Sequence, residues 1–179
     1  IEAKGGKAAY AIADVSKVAE AEAVIEKIGK DWGKLDVLVN NAGITRDNLL
    51  MRMKDEEWDR VMEVNLKGAF NLIRAAARPM MKARAGKIVN ISSVVGLIGN
   101  PGQANYAASK GGLAALTLPV SRDLAADGIR VCAIVPPASE PGASPSMRHG
   151  RADEFAQRVL YALTTAGLTG QIVREIPAT

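Results

Sequence analysis

A single cysteine in 179 residues excludes an internal disulfide. Cys132 stands inside the apolar run Ile129 to Val135 and reads as a buried strand residue, so a reducing compartment, here the cytoplasm, is the expected setting. Aromatic residues supply only 4% of the chain while Ala and Gly are abundant. That balance belongs to α/β folds, where helices pack closely on a sheet. No apolar run approaches the roughly 20 residues of a bilayer-spanning helix, and the opening residues do not read as a signal peptide, so no membrane partner is expected. Clustered charge is missing too. The net charge is +4, but the basic residues are scattered, which fits an anionic cofactor or acidic partner and gives no case for nucleic acid. What is present is ordinary globular composition, 48% apolar and 23% charged, in a length that predicts one domain with a sizeable core.

Ile1 to Gly6 reads as the last turn of a helix with its glycine stop. Lys7 to Val15 then reads as a strand, with Ala8, Tyr10 and Ile12 alternating. Ser16 is the expected cap of a helix from Val18 to Trp32, whose apolar face is Val18, Ala21, Val24, Ile25 and Ile28. Short apolar runs at Leu35 to Val39, Lys87 to Ile91 and Ile129 to Val135 predict strands buried on both faces of a parallel sheet. Between them lie a long helix, Glu56 to Arg84, and a second from Asn105 to Ala126 that Pro119 should kink or break. Ala138 to Gly150 is expected as an exposed loop, Ala152 to Thr164 as an amphipathic helix and Gln171 to Glu175 as a last strand. Strands alternating with helices of this length predict a doubly wound, Rossmann-like parallel sheet.

In such sheets ligands bind outside the carboxyl ends of the strands. Polar clusters stand at those ends: Asp14, Asn40-Asn41, Ser92-Ser93 and the Pro136-Pro137 turn. Each has a plainer reading as a turn, a cap or a backbone tie, and Asn65 could be a satisfied polar residue in a helix bend. Together they predict one site. Tyr106 and Lys110, four apart on one helix, share a face. A cation beside a phenol lowers its pKa, which makes the tyrosine a usable proton donor.

Asn40-Asn41-Ala42-Gly43, Asn65, Ser93 and Tyr106-x-x-x-Lys110, in this order and with Ser93 thirteen positions before Tyr106, resemble the short-chain dehydrogenase/reductase family over nearly the whole chain. Within it, Gly43 to Met53 and Gly99 to Asn105 are similar to the 3-oxoacyl-[acyl-carrier-protein] reductases. The resemblance implies that Tyr106 protonates the substrate carbonyl as hydride arrives from a nicotinamide. It implies that Lys110 lowers the Tyr106 pKa and binds the nicotinamide ribose, that Ser93 holds the carbonyl, and that Asn65 holds a relay water linking Lys110 to solvent. Asp14 and Val15 would contact the adenine, Asn41 would lie along the adenosine, and Ser139 would meet the carboxamide. Arg84 matches a basic position used to dock acidic acyl carrier protein near the site, and a homotetramer built on the two long helices is implied.

Three departures shape the expectation. No Gly-x-Gly or Thr-Gly-x-x-x-Gly-x-Gly segment occurs, so the family's first strand, pyrophosphate-binding turn and helix are missing. The chain is thus expected to be a single domain, 1–179, that lacks its N-terminal β-α-β unit and belongs to a longer polypeptide, with Lys7 to Val15 left partnerless beside an open sheet edge. From about Leu116 onward the chain looks more like the short-chain 3-hydroxyacyl-CoA dehydrogenases, and the segment from Pro136 to Gly170 is shorter than the family's substrate lid. Asp127 stands where a second docking arginine is expected. Three readings stay open: an NADP-dependent 3-oxoacyl-carrier-protein reductase of fatty acid biosynthesis, an NAD-dependent 3-hydroxyacyl-CoA or other alcohol dehydrogenase, and a non-catalytic fragment that has lost cofactor binding.

Overall fold

Among the described residues four parallel strands stand in the order in which the chain makes them. They are β1 (Val37–Asn40), β2 (Gly86–Ile91), β3 (Ile129–Ile134) and β4 (Ile172–Val173). A computed structural model describes residues 1–136 and 145–173. Its helices are α1 (Val18–Trp32), α2 (Asp55–Met62), α3 (Gly68–Ala83), α4 (Val95–Ile98), α5 (Ala104–Ala125) and α6 (Pro145–Thr164). The register sets Asn40 opposite Asn90 and Ile91 opposite Ile134, so the carboxyl ends of the first three strands lie together. The architecture is the α/β parallel sheet expected from the sequence.

Both faces of the sheet are covered because consecutive strand residues point to opposite sides. Ile88 and Val131 face a core filled by Ile25, Ile73, Met80 and Leu124 from α1, α3 and α5. Val89, Ile91, Cys132 and Ile134 face the other way, onto α6 through Ala162 and Val159. Cys132 is buried as expected, and its thiol is pushed up to about 11 by that burial. Among the described residues no helix is long and apolar enough to cross a membrane.

The structure corrects several boundaries. Lys7 to Val15 forms no strand, because no neighbouring strand among the described residues supplies a ladder, and Tyr10 and Ile12 are almost fully exposed. Between this stretch and β1 lies a cleft of about 620 Å³, lined by Tyr10, Trp32, Leu35 and Val37 among others. The second edge of β1 is free among the described residues, as anticipated. Leu38 is buried in the core of α1 and α3, whereas Val39 on the opposite face is 39% exposed, since α6 packs chiefly on β2 and β3.

Ser16 does not cap α1; the cap position is Lys17, and the Ser16 hydroxyl donates to Asp14 instead. The long helix is not uniform, because a π turn over Glu63–Lys67 separates α2 from α3. Helix α5 continues through Pro119 without a break. Proline removes the bond to the carbonyl four residues back, but Ala115 and Pro119 are both exposed, so water can serve that carbonyl. Helix α6 starts at Pro145, inside the stretch expected as loop. The last strand is two residues long as described, and Arg174 and Glu175 lie outside the described residues.

The turn from α5 into β3 needs glycine at Gly128. Its φ is +73°, and an added Cβ would stand 2.5 Å from the main-chain oxygen of Arg84. Arg84 ends α3 in the left-handed region, φ 52°, and its Nη2 donates to Ala126 O at 2.7 Å. The two turns are therefore locked together, and Gly128→Ala is expected to cost about 2–4 kcal/mol, since it combines left-handed strain with a backbone clash. Urea unfolding would measure this, and a loss below about 0.5 kcal/mol, the scatter of ordinary surface changes, would refute it.

Candidate active site

Strand β2 delivers Ser92 and Ser93 to the carboxyl edge of the sheet. Ser92 turns inward, its hydroxyl donating to Lys110 O at 2.7 Å, while Ser93 turns toward the cleft. The short helix α4 begins two residues later, with the Val95 N–H donating to Ser93 Oγ at 3.2 Å. Gly96 lets α4 lie against α5, because a Cβ there would fall 2.6 Å from Gly111 N and 2.7 Å from Lys110 C. Small residues thus bring Ser93 beside the turn of α5 that carries Lys110.

Ser93, Tyr106 and Lys110 line one cleft of about 790 Å³ together with Asn41, Ile44 and Pro136. Among the described residues that line it, Lys110 alone is charged. The Lys110 side chain is 4% exposed, its Nζ donates to Ile91 O at 2.8 Å, and it lies 5.9 Å from the centre of the Tyr106 ring. Burial pulls its pKa from 10.5 down to about 8. An ammonium has three donors, so the capacity not used on Ile91 can face a ligand hydroxyl or an oxyanion.

Asn65 lies behind this pair, fully buried in the π turn, a distortion common at functional sites. Its Oδ1 accepts the Ile44 N–H at 2.8 Å, and its Nδ2 donates to Ile44 O and to Ser109 Oγ, each at 3.0 Å. Both amide hydrogens are engaged, so a relay water here would be held by an acceptor oxygen.

The other expected site residues are divided. Asn41 lines the cleft, but Asp14 and Val15 do not. The Asp14 carboxylate accepts from the hydroxyl and N–H of Ser16 and from Arg60 Nη2 at 3.1 Å, and these donors, Ser16 first, hold its pKa down to about 2. The Val15 carbonyl accepts from Asn71 Nδ2 at 3.1 Å, which ties the stretch to α3. Ser139 lies outside the described residues. Arg84 stands before the amino end of β2, and Ser93 follows its carboxyl end, so within one chain this arginine does not border the cleft. Its guanidinium is engaged by Asp127 and by Ala126 O.

Three contributors escaped the sequence reading. Ser109 couples Asn65 to α5 and donates to Tyr106 O at 2.8 Å; its place three residues after Tyr106, on the same helix face, was the available signal. Ser92 passed as half of a serine pair. Arg60 lies 46 residues from Asp14, and nothing local announces that contact. Among the described residues no group of acids, histidines and cysteine could hold a metal ion. The ammonium and the hydroxyls suit the ribose end of a nicotinamide nucleotide, whereas the chain carries no glycine-rich turn for its pyrophosphate.

The family model for short chain dehydrogenases matches residues 1–152. A 3-oxoacyl-[acyl-carrier-protein] reductase of Staphylococcus aureus (strain Mu50 / ATCC 700699) is 54% identical over 136 residues, covering 76% of this chain and 55% of the relative. One of Chlamydia muridarum is 50% identical over 132 residues, 74% of this chain and 53% of the relative. One of Thermotoga maritima is 44% identical over 191 residues, 96% of this chain and 78% of the relative. That alignment exceeds the 179 residues of this chain, so the relative carries residues within it that this chain lacks. The chain spans about half the length of the first two relatives.

A buried cation with no acid beside it among the described residues is a standing cost. The folded pKa of Lys110, about 8, lies below its unfolded value of 10.5. The cost is therefore present in full below pH 8 and disappears as the pH rises toward 10.5. Lys110→Met keeps the apolar stem and removes the charge, and is expected to raise stability at pH 7 by up to about 3 kcal/mol. The gain should shrink by pH 10. Urea midpoints at the two pH values test this, and a variant no more stable at pH 7 would contradict it.

Proposed function

The chain belongs to the short-chain dehydrogenase family, and from that premise we propose that it reduces the 3-oxo group of an acyl thioester, in the manner its reductase relatives are named for. The observation that carries the reading is the single cleft in which Ser93, Tyr106 and Lys110 meet. Bound NADPH, with NADH as the alternative, would supply the hydride. Lys110 would hold the ribose hydroxyls, Asn41 the adenosine side, Asp14 and Val15 the adenine, and Ser139 the carboxamide.

The work of this chain is to bind the carbonyl and deliver a proton. The Ser93 hydroxyl donates to the substrate oxygen and steadies the charge that develops there. The Tyr106 phenol gives that oxygen its proton, and the Lys110 ammonium stabilises the phenolate left behind. Asn65 keeps Ile44 and Ser109 in place around the pair and would hold the water through which the proton is restored.

The carrier of the acyl chain divides the readings. Fatty acid biosynthesis on acyl carrier protein follows from the reductase relatives. A 3-hydroxyacyl-CoA or other alcohol dehydrogenase using NAD is favoured by one observation: Arg84 is neutralised by Asp127 at 3.4 Å, which leaves less positive charge for an acidic carrier. The third reading, a fragment without cofactor binding, rests on the missing glycine-rich turn.

A homotetramer is supported by an apolar groove of about 640 Å³ between the long helix and α5, lined by Met62, Leu66, Phe70, Ala115 and Leu116. Phe70 is 43% exposed there. Sedimentation velocity is expected to give a tetramer for the parent chain and a smaller species for Phe70→Asp; a monomeric parent would end the proposal.

The decisive assay is oxidation of NADPH and NADH with 3-oxoacyl thioesters carried on acyl carrier protein and on coenzyme A. Tyr106→Phe should lose about 10²–10⁴-fold in turnover, the range general acid catalysis contributes. Because the phenol depends on a cationic Lys110, the parent's rate should fall as pH rises through about 8. Residual activity in Tyr106→Phe near that of the parent would remove the proposed proton donor.

A further inference from the structure

The phenol stands where a helix is easiest to unravel. Tyr106 is the third residue of α5, and the loop before it contains Gly99 and Gly102, both with positive φ. The residue at the cap position, Gln103, makes no side-chain cap bond; its amide reaches away to Asp47. First-turn N–H groups have no partner within the helix, so an uncapped start frays. Lys110 sits one turn further in and is fastened by Nζ to Ile91 and by its carbonyl to Ser92. One partner of the catalytic pair is anchored by the sheet, and the other, whose carbonyl accepts from Ser109 within its own helix, still needs an anchor for its N–H.

We propose that Asn105 is the positioning residue that holds Tyr106 in register, by pinning the first turn of α5 to the loop after β1 and to α2. Its side chain is fully buried. Oδ1 accepts the Tyr106 N–H at 2.7 Å, which satisfies one first-turn donor. Nδ2 donates to Arg46 O at 2.8 Å and to Glu57 O at 3.1 Å, so each amide hydrogen ends on a different element. The loop that Asn105 grips at Arg46 is the one Asn65 grips at Ile44, two residues earlier. Both sides of the cleft are thus fixed to a common strap. Tyr106 is aimed by a residue that does not itself line the cleft.

The inference rests on the reductase reading for its kinetic consequence and on geometry alone for its structural one. Asn105→Asp keeps the shape and the acceptor but turns both donors into an oxygen facing two carbonyls. Turnover is expected to fall about 10²-fold, the loss that a misplacement near 1 Å can cause, while KM for the nicotinamide cofactor stays within about twofold because Lys110 keeps its own anchors. Amide hydrogen exchange should quicken at least about tenfold at Tyr106 to Ala108 and stay unchanged at Leu113 to Leu116, since local opening is set by local contacts. Asn105→Ser, which keeps one short donor, gives a milder version of both changes if the aspartate variant does not fold. Turnover within twofold of the parent, or an unchanged first turn, overturns the proposal. So does a loss in which kcat, KM and exchange along the whole helix move together, which is general unfolding. If the parent reduces no 3-oxoacyl thioester, the reductase reading fails, and the exchange experiment still decides whether Asn105 pins the turn.

Discussion

Asn65 meets Ile44 as a neighbouring strand would, accepting its N–H and donating to its carbonyl. The stretch after β1 has left the sheet by then, and the half-buried peptide at Ile44 would otherwise lack strand partners. One side-chain amide substitutes for a ladder, and it can do so because the π turn presents it at that depth. The same amide reaches Ser109, so the loop, the long helix and α5 share one polar junction. Replacing it with an apolar residue would strand several buried groups at once, a much larger loss than one hydrogen bond.

Around that junction, stability and chemistry pull apart. Close packing of α4 on α5 requires Gly96 and Gly111, and it buries an ammonium that no carboxylate among the described residues neutralises. A counter-ion would relieve the strain and cancel the field at Tyr106. Among the described residues the charge is met by the Ile91 carbonyl, which leaves the fold locally weaker and keeps the ammonium's influence directed at the phenol. Such uncompensated groups are where function and folding compete.

Much of this was legible in the sequence, and the reasons can be given residue by residue. Buried parallel strands announce themselves as apolar runs, so β2 and β3 were found almost to the residue. Lys7 to Val15 has a strand's alternation, yet alternation specifies only a surface to be paired, and pairing depends on a neighbour the pattern does not contain. The π turn left no trace because its residues, Glu63 to Lys67, keep helical periodicity on both sides. Tyr106 and Lys110 could be read from spacing because one helix carries both. Asp14 was grouped with them because it stood at an expected strand end, but its carboxylate answers to Ser16 and to Arg60 on α2. Contacts made across tens of residues, such as Arg60 with Asp14 or Arg84 with Asp127, have no sequence signature beyond opposite charge.

The order of the sheet has a consequence for how the domain is assembled. Each of β2, β3 and β4 pairs with the strand made immediately before it. Among the described residues each new strand therefore meets a finished edge, and none is inserted between two others. Growth runs in one direction, from β1 outward. The flank of β1 turned toward Lys7 to Val15 takes no part in that series, so the four strands pair with one another without drawing on that edge.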